Sequence, residues 1–179
     1  MELKNEKIIL RPMIASDIPD RIRWETDETE WQDWDGPWDY EGKTHEERAD
    51  PALRFEVCVN GQERTHIGWC GAYFIDGACN IVETGERCAV GISLPPLSAR
   101  RKGYAASALT LFLRYLQSRG LTDLYTQTWS GNVRMIGLAE KLGFREFCRK
   151  PGLRRVRGEV CDGLTLRLDP ERFSKWNLA

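Results

Sequence analysis

Residues 100–105, Arg100-Arg101-Lys102-Gly103-Tyr104-Ala105, join a strand-like run to a long amphipathic segment, and the rest of the architecture is organised around that junction. The run before it is Cys88-Ala89-Val90-Gly91-Ile92-Ser93-Leu94, closed by a Pro95-Pro96 break. The segment after it carries apolar residues at Ala105, Ala108, Leu109, Phe112, Tyr115 and Leu116. That i, i+3, i+4 spacing predicts a helix burying one face and ending near Arg119. A helix start leaves its first backbone N–H groups without intrahelical partners, and its dipole places partial positive charge there. Anions dock readily at such an end. Gly103 permits close backbone approach or a positive φ, and the three preceding cations add full charges. The stretch reads as a phosphate site, though a basic turn kept for solubility has the same composition. Neither a G-x-x-x-x-G-K-[ST] loop nor a G-x-G-x-x-G fingerprint occurs, so the ligand is of another kind.

A second unit lies downstream. A strand-like run from about Asp123 ends in Thr126-Gln127-Thr128-Trp129, and Ser130-Gly131-Asn132 follows as a turn. Residues 133–142 then read as a short helix that Asn132 can cap, its side-chain oxygen accepting from a first-turn N–H. Gly143 suits a left-handed residue just past the helix, with Phe144 packing back over its end.

Together the two units are recognisable. Arg100-x-x-Gly103-x-Ala105 resembles the [Q/R]-x-x-G-x-[G/A] signature of the GNAT superfamily of N-acyltransferases. Asn132 through Gly143-Phe144 is similar to that family's second helix and its ending. Ile9-Leu10-Arg11-Pro12 followed by Asp17 looks like the opening of the subgroup of ribosomal-protein N-terminal acetyltransferases (RimJ/RimL type). These landmarks come in the family's order and cover residues 8–168 of the 179. The resemblance implies one α/β domain over 1–179, with a splayed mixed sheet flanked by helices and acetyl-CoA in the split. It implies that the strand before the loop, at Ile92, Ser93 and Leu94, holds the pantetheine arm. Arg100, Arg101, Lys102, Gly103, Tyr104 and Ala105 would hold the phosphates, and Asn132 would reach the arm.

Composition agrees with a soluble globular protein. Apolar residues make up 41% and charged residues 30% of the chain, the balance of a globular domain that buries about 70% of its unfolded surface. The apolar stretches are too short to span a membrane, and the N-terminus lacks the apolar core of a signal peptide, which points to the cytoplasm. The six cysteines include no C-x-x-C pair and are complemented by two histidines only, so they read as buried thiols and no metal site is expected. Net charge is −1, but residues 25–50 hold eleven acids against two bases, and residues 97–158 hold thirteen bases against three acids. The basic half has few aromatics and the pI is about 6.2, which argues against a nucleic-acid partner. A homodimer is left open.

Chain order is mixed α/β. Strands are expected at 7–13, Phe55–Val59, His66–Ile75, Cys88–Leu94, Asp123–Trp129, and near Arg145–Lys150 and Val160–Leu168. Asn60-Gly61 makes the second and third of these a hairpin. Ser16-Asp17 can cap a helix running to about Glu25, with Pro19 in its first turn. Residues 26–52, rich in Trp, Asp and Glu, are the least regular part.

Acetyl transfer needs a neutral nitrogen, donors for the developing oxyanion and a proton for the thiolate. Strand N–H groups can supply the donors. The glutamate base and tyrosine acid of many relatives map by position onto Ala89 and Ala139, which can do neither job. Deprotonating a lysine-like amine at pH 7 costs about 4.6 kcal/mol, against about 1.1 kcal/mol for an α-amino group, so a site without a base is better matched to the second. Glu83, Glu86, and Asp33 or Asp35 are the carboxylates that could act through water. Trp31-Gln32-Asp33-Trp34-Asp35-Gly36-Pro37-Trp38 is the candidate acceptor wall, with Trp31, Asp33, Trp34 and Asp35 making cation–π and ionic contacts to a small-molecule or peptide amine. The same indoles would also serve simply as core plugs. A longer acyl-CoA, or a non-catalytic CoA-binding module, stays open beside acetyl transfer.

Overall fold

The computed structural model describes residues 1–35 and 53–176, with the backbone alone for Asp35 and Trp176. Nine strands among these residues form one mixed sheet: β1 (Leu3–Lys4), β2 (Ile8–Arg11), β3 (Arg54–Val59), β4 (His66–Ile75), β5 (Ile81–Val82), β6 (Arg87–Ser93), β7 (Leu124–Trp129), β8 (Phe144–Val156) and β9 (Glu159–Leu168). The spatial order is β1-β2-β3-β4-β6-β7-β9-β8, with β5 paired to β4. The β6–β7 pair is parallel; its neighbours pair antiparallel. The α-helices among the described residues are α1 (Ile18–Thr26), α2 (Gln32–Asp35), α3 (Tyr104–Ser118), α4 (Val133–Lys141) and α5 (Pro170–Trp176).

Side chains alternate across a strand, so each strand feeds two faces. On one face Cys88, Val90 and Leu124 join Leu109, Phe112 and Leu116 of α3 in the main core. On the other, Tyr73, Ile75, Ala89 and Tyr125 make a smaller cluster. α1 begins where expected. Pro19 sits in its first turn, but the expected side-chain cap is not made: the Asp17 carboxylate is turned away from α1 and accepts from the Ile14 N–H at 2.9 Å and from both terminal nitrogens of Arg11 at 2.7 Å.

Four elements differ from the sequence expectation. β1 and β5 are two-residue strands, too short for any alternation to show. α5 spans seven residues after Asp169. β8 runs to Val156, straight past Lys150-Pro151-Gly152, which reads as a break in sequence. It is an edge strand, where proline is tolerated, and its ladder with β9 shifts register between Lys150 and Arg154 to absorb the interruption.

Candidate functional site

The sheet opens between β6 and β7. Their ladder holds Cys88 to Leu124, Ala89 to Tyr125 and Val90 to Thr126, and stops there. β6 continues against β4 as far as Ser93, and β7 continues against β9 as far as Trp129. Residues 91–93 and 127–129 therefore diverge, and among the described residues neither run has a ladder partner on the inner side. Thr126 marks the closing rung, its hydroxyl donating to the Val90 carbonyl at 2.8 Å. A cavity of 590 Å³ fills the split, lined by Gly91, Ile92, Ser93 and Leu94 along one edge.

The wide end of the split meets the start of α3. Gly103 takes φ +79° and Arg101 φ +59°, so the loop makes two left-handed steps before the helix. Glycine adopts such a conformation without strain, and arginine does not. Gly103 has no side chain with which to cap α3, and the first helical bond runs from the Ser107 N–H to the Gly103 carbonyl. Arg100, Arg101, Gly103, Tyr104 and Ala105 line the cavity; Lys102 is exposed and stands outside its lining. An open strand edge leading to a basic helix start fits a ligand with a long amide-bearing arm and phosphates at its far end.

A strap crosses this cleft. Glu30 pairs with Arg100 and also accepts from Trp34 Nε1 at 3.2 Å and Arg134 Nη1 at 3.3 Å. Its carboxyl is pulled down to about 2, first by the Arg100 hydrogen bond. The Arg134 guanidinium lies 3.9 Å from the Trp34 ring centre. The Trp34 carbonyl accepts from Trp129 Nε1 at 3.0 Å and Asn132 Nδ2 at 2.8 Å, while Asn132 Oδ1 caps α4 through the Met135 N–H at 3.0 Å. Asn132 thus does cap the helix, and it lines the cavity with its oxygen on the cap and its amide on the strap. Gly131 is required by its neighbour, since a Cβ there would lie 2.0 Å from the Trp129 indole.

Beyond the strap, Trp31 donates to the Trp24 carbonyl at 2.7 Å and meets the Trp69 ring edge-on at 5.2 Å. Under these rings sits a buried charge cluster. His66 Nε2 is 2.8 Å from Glu56 and Nδ1 is 3.1 Å from Asp20, while Arg21 donates to Glu56 at 2.8 Å and stacks 3.7 Å over Trp69. Burial alone would raise the Glu56 carboxyl, but bonds from His66 and Arg21 outweigh it and hold it below the usual range.

The acceptor-side expectations divide. Trp31 and Trp34 line the cavity; Asp33 is exposed and does not. The Asp35 side chain and residues 36–38 lie outside the described residues. Glu83 and Glu86 are exposed on the chain between β5 and β6, away from the cavity lining, and so are poorly placed for proton transfer. No acidic side chain is among the described residues that line it, whereas Arg100, Arg101, Arg134, Lys141 and Arg154 are. Ala89 and Ala139 are fully buried. Sequence reasoning passed over Glu30, Arg134, Tyr73 and Gln127, which register and strap geometry bring in and no linear motif marks. Tyr73 Oη donates to Gln127 Oε1 at 3.1 Å beside Ala89. All six cysteines are free thiols, and burial pushes Cys88 up to about 12.

Comparison with known proteins follows the same lines. The family model described as an acetyltransferase (GNAT) domain matches residues 7–145. No curated protein matches the chain in sequence. Among solved structures, an acetyltransferase (GNAT family) from Bacillus anthracis is 19% identical, covering 96% of this chain and 99% of its own, with a TM-score of 0.71. RimL, a ribosomal L7/L12 alpha-N-protein acetyltransferase in complex with coenzyme A, is 13% identical over 93% of this chain and 97% of its own, with a TM-score of 0.70. A ribosomal-protein-S5-alanine acetyltransferase from Vibrio fischeri is 15% identical over 93% and 95%, with a TM-score of 0.68. At these identities the likeness is one of fold.

Proposed function

The chain belongs to the GNAT acetyltransferase family, and from that premise we propose that it moves an acetyl group from acetyl-CoA directly to a primary amine bound on the indole side of the split. The observation that carries this reading is the β6–β7 ladder, which ends at Val90–Thr126 and leaves the edge at 91–93 open toward the Arg100–Gly103 helix start. In this reading the edge pairs with the pantetheine amides as a strand would. The first-turn N–H groups of α3, with Arg100 and Arg101, hold the phosphates. Bound acetyl-CoA supplies an activated acyl carbon: the C–N bond forms, the C–S bond breaks, and the proton lost by nitrogen ends on the thiol.

The rest falls to this chain. Main-chain N–H groups of the β6 edge are the donors nearest the developing oxyanion. With no acid on the described lining and five cations around it, the cavity disfavours an ammonium ion and accepts the amine already neutral. An α-amino group meets that condition at neutral pH far better than a lysine side chain. The favoured acceptor is therefore the free N-terminus of a peptide or protein, with small amines of similar basicity next.

Burial of alanine at both family acid–base positions favours a second reading, a CoA-binding module without turnover. One experiment separates them: release of free thiol from acetyl-CoA across a panel of peptides and small amines, with CoA affinity measured in parallel by calorimetry. Thiol release that requires an amine establishes the transferase. CoA binding with no release on any amine establishes the module.

A further inference from the structure

The closed end of the split lies over three adjacent strands. Tyr73 on β4 stands level with Ala89 on β6, and Gln127 on β7 is one residue past the Val90–Thr126 rung. Alternation places Tyr73, Ala89, Gly91 and Gln127 on one face. Tyr73 and Gln127 sit on opposite sides of β6, on strands about 10 Å apart. A methyl group at 89 and a hydrogen at 91 let the phenol cross that strand, and its Oη reaches Gln127 Oε1 at 3.1 Å. The alanine that removes the family's carboxylate is thus also what allows this bridge.

Hydrogen bonding fixes the polarity of the bridge. Gln127 Nε2 donates to the Cys79 carbonyl at 2.9 Å and to Thr165 Oγ1 at 3.0 Å, which turns the amide oxygen toward Tyr73. Tyr73 donates its single proton to that oxygen. A phenolic oxygen can accept as well as donate, and an amide oxygen carries two lone pairs. Both side chains line the cavity. Two neutral oxygens that accept, with their own protons already committed, suit an N–H donor and repel a phosphate or carboxylate.

Position completes the case. An arm laid along Gly91–Leu94 from the α3 end has to stop at the Val90–Thr126 rung, and Tyr73 and Gln127 flank that point. Resting on the acetyl-transfer reading above, we infer that Tyr73 and Gln127 are the acceptor-binding pair. The neutral amine donates N–H to Tyr73 Oη and Gln127 Oε1, and its lone pair is left facing the acyl carbon. The pair orients the nitrogen and takes no proton from it.

The test uses the full chain with two probes of different basicity, trialanine amide and benzylamine. Amine affinity is measured calorimetrically on protein saturated with CoA, and kcat and KM are measured with acetyl-CoA. In Tyr73→Phe, loss of one neutral hydrogen bond raises the amine Kd and KM about 3- to 10-fold, with CoA affinity unchanged and Tm lowered by no more than loss of the Tyr73–Gln127 bond accounts for. Gln127→Met moves the same quantities in the same direction. The inflection in the kcat/KM profile against pH follows the pKa of whichever amine is used, in wild type and in Tyr73→Phe alike. Unchanged amine Kd in both variants overturns the pair, as does a parallel fall in CoA affinity and Tm, which marks a structural role. An inflection common to both amines and absent in Tyr73→Phe also overturns it, by making Tyr73 a base. If wild type binds CoA and turns over neither probe, the acetyl-transfer reading itself has failed and the inference falls with it.

Discussion

Glu30 and Arg100 form an ion pair that ties the turn before α2 to the loop before α3, across the mouth of the cleft. In the proposed function Arg100 meets a phosphate, so cofactor and strap would compete for the same guanidinium and couple the two halves of the site.

Glu30→Gln removes the competitor. CoA affinity rises about two- to five-fold, the scale of a partly exposed ion pair, as read by calorimetry. The folded-state pKa of Glu30 lies below its ordinary 4.5, at about 2. Its contribution to holding the strap is therefore complete above about 4.5 and is lost as pH falls toward about 2. Tryptophan fluorescence should report loosening over that window in wild type and not in Glu30→Gln.

Glu56→Gln removes the carboxylate that Arg21 and His66 Nε2 both contact in the cluster beneath the indoles. Breaking a buried pair from one side costs about 3–5 kcal/mol, measured by urea denaturation at pH 7. Glu56 and Asp17 both titrate below the usual carboxylate range. The stability they confer is full above that range and disappears as pH falls through their folded values. The gap between wild type and variant therefore narrows in acid. The amine KM also rises, because Trp24 and Trp69 rest on this cluster and Trp31 rests on them.

Arg101→Gly should move stability and affinity in opposite directions. Relief of the left-handed backbone at φ +59° stabilises the fold by about 1 kcal/mol. Loss of a charged phosphate contact weakens CoA binding about tenfold or more. Thermal denaturation and calorimetry on the same sample check both signs.

Asn132 can be divided by chemistry. Asn132→Asp keeps an oxygen for the Met135 N–H and loses the donor to the Trp34 carbonyl, whereas Asn132→Ala loses both. Alanine costs about 1–2 kcal/mol through the cap. Aspartate retains most of the stability while freeing the strap, so Tm separates the variants and Trp34 exposure groups them.

Much of this architecture could be read from sequence where local chemistry and global position coincide. The His66–Ile75 strand, Gly103 at the head of α3 and Gly143 in the left-handed conformation at φ +97° past α4 were all set by short-range signals. Other features depend on what packs alongside. β8 continues through Pro151 because it lies on the sheet edge, which no window of sequence discloses. The same limit applied to the site. The phosphate loop has a motif, but the Glu30–Arg100 pair joins residues 70 positions apart, and Tyr73 meets Gln127 only through the register of three strands. Asp33, Glu83 and Glu86 drew attention by residue type, and the structure leaves them exposed and outside the cavity lining.

The open edge at 91–93 offers its ligand peptide groups, which every residue type but proline supplies alike. Exchange of Ile92 for another apolar residue that packs on the same core should therefore leave cofactor affinity intact, while Ile92→Pro deletes an N–H and should abolish the docking. Such a socket places its demand on the course of the chain instead of on a fixed set of side chains. A gene encoding it is free to rewrite the acceptor half for a new amine while the donor half goes on working.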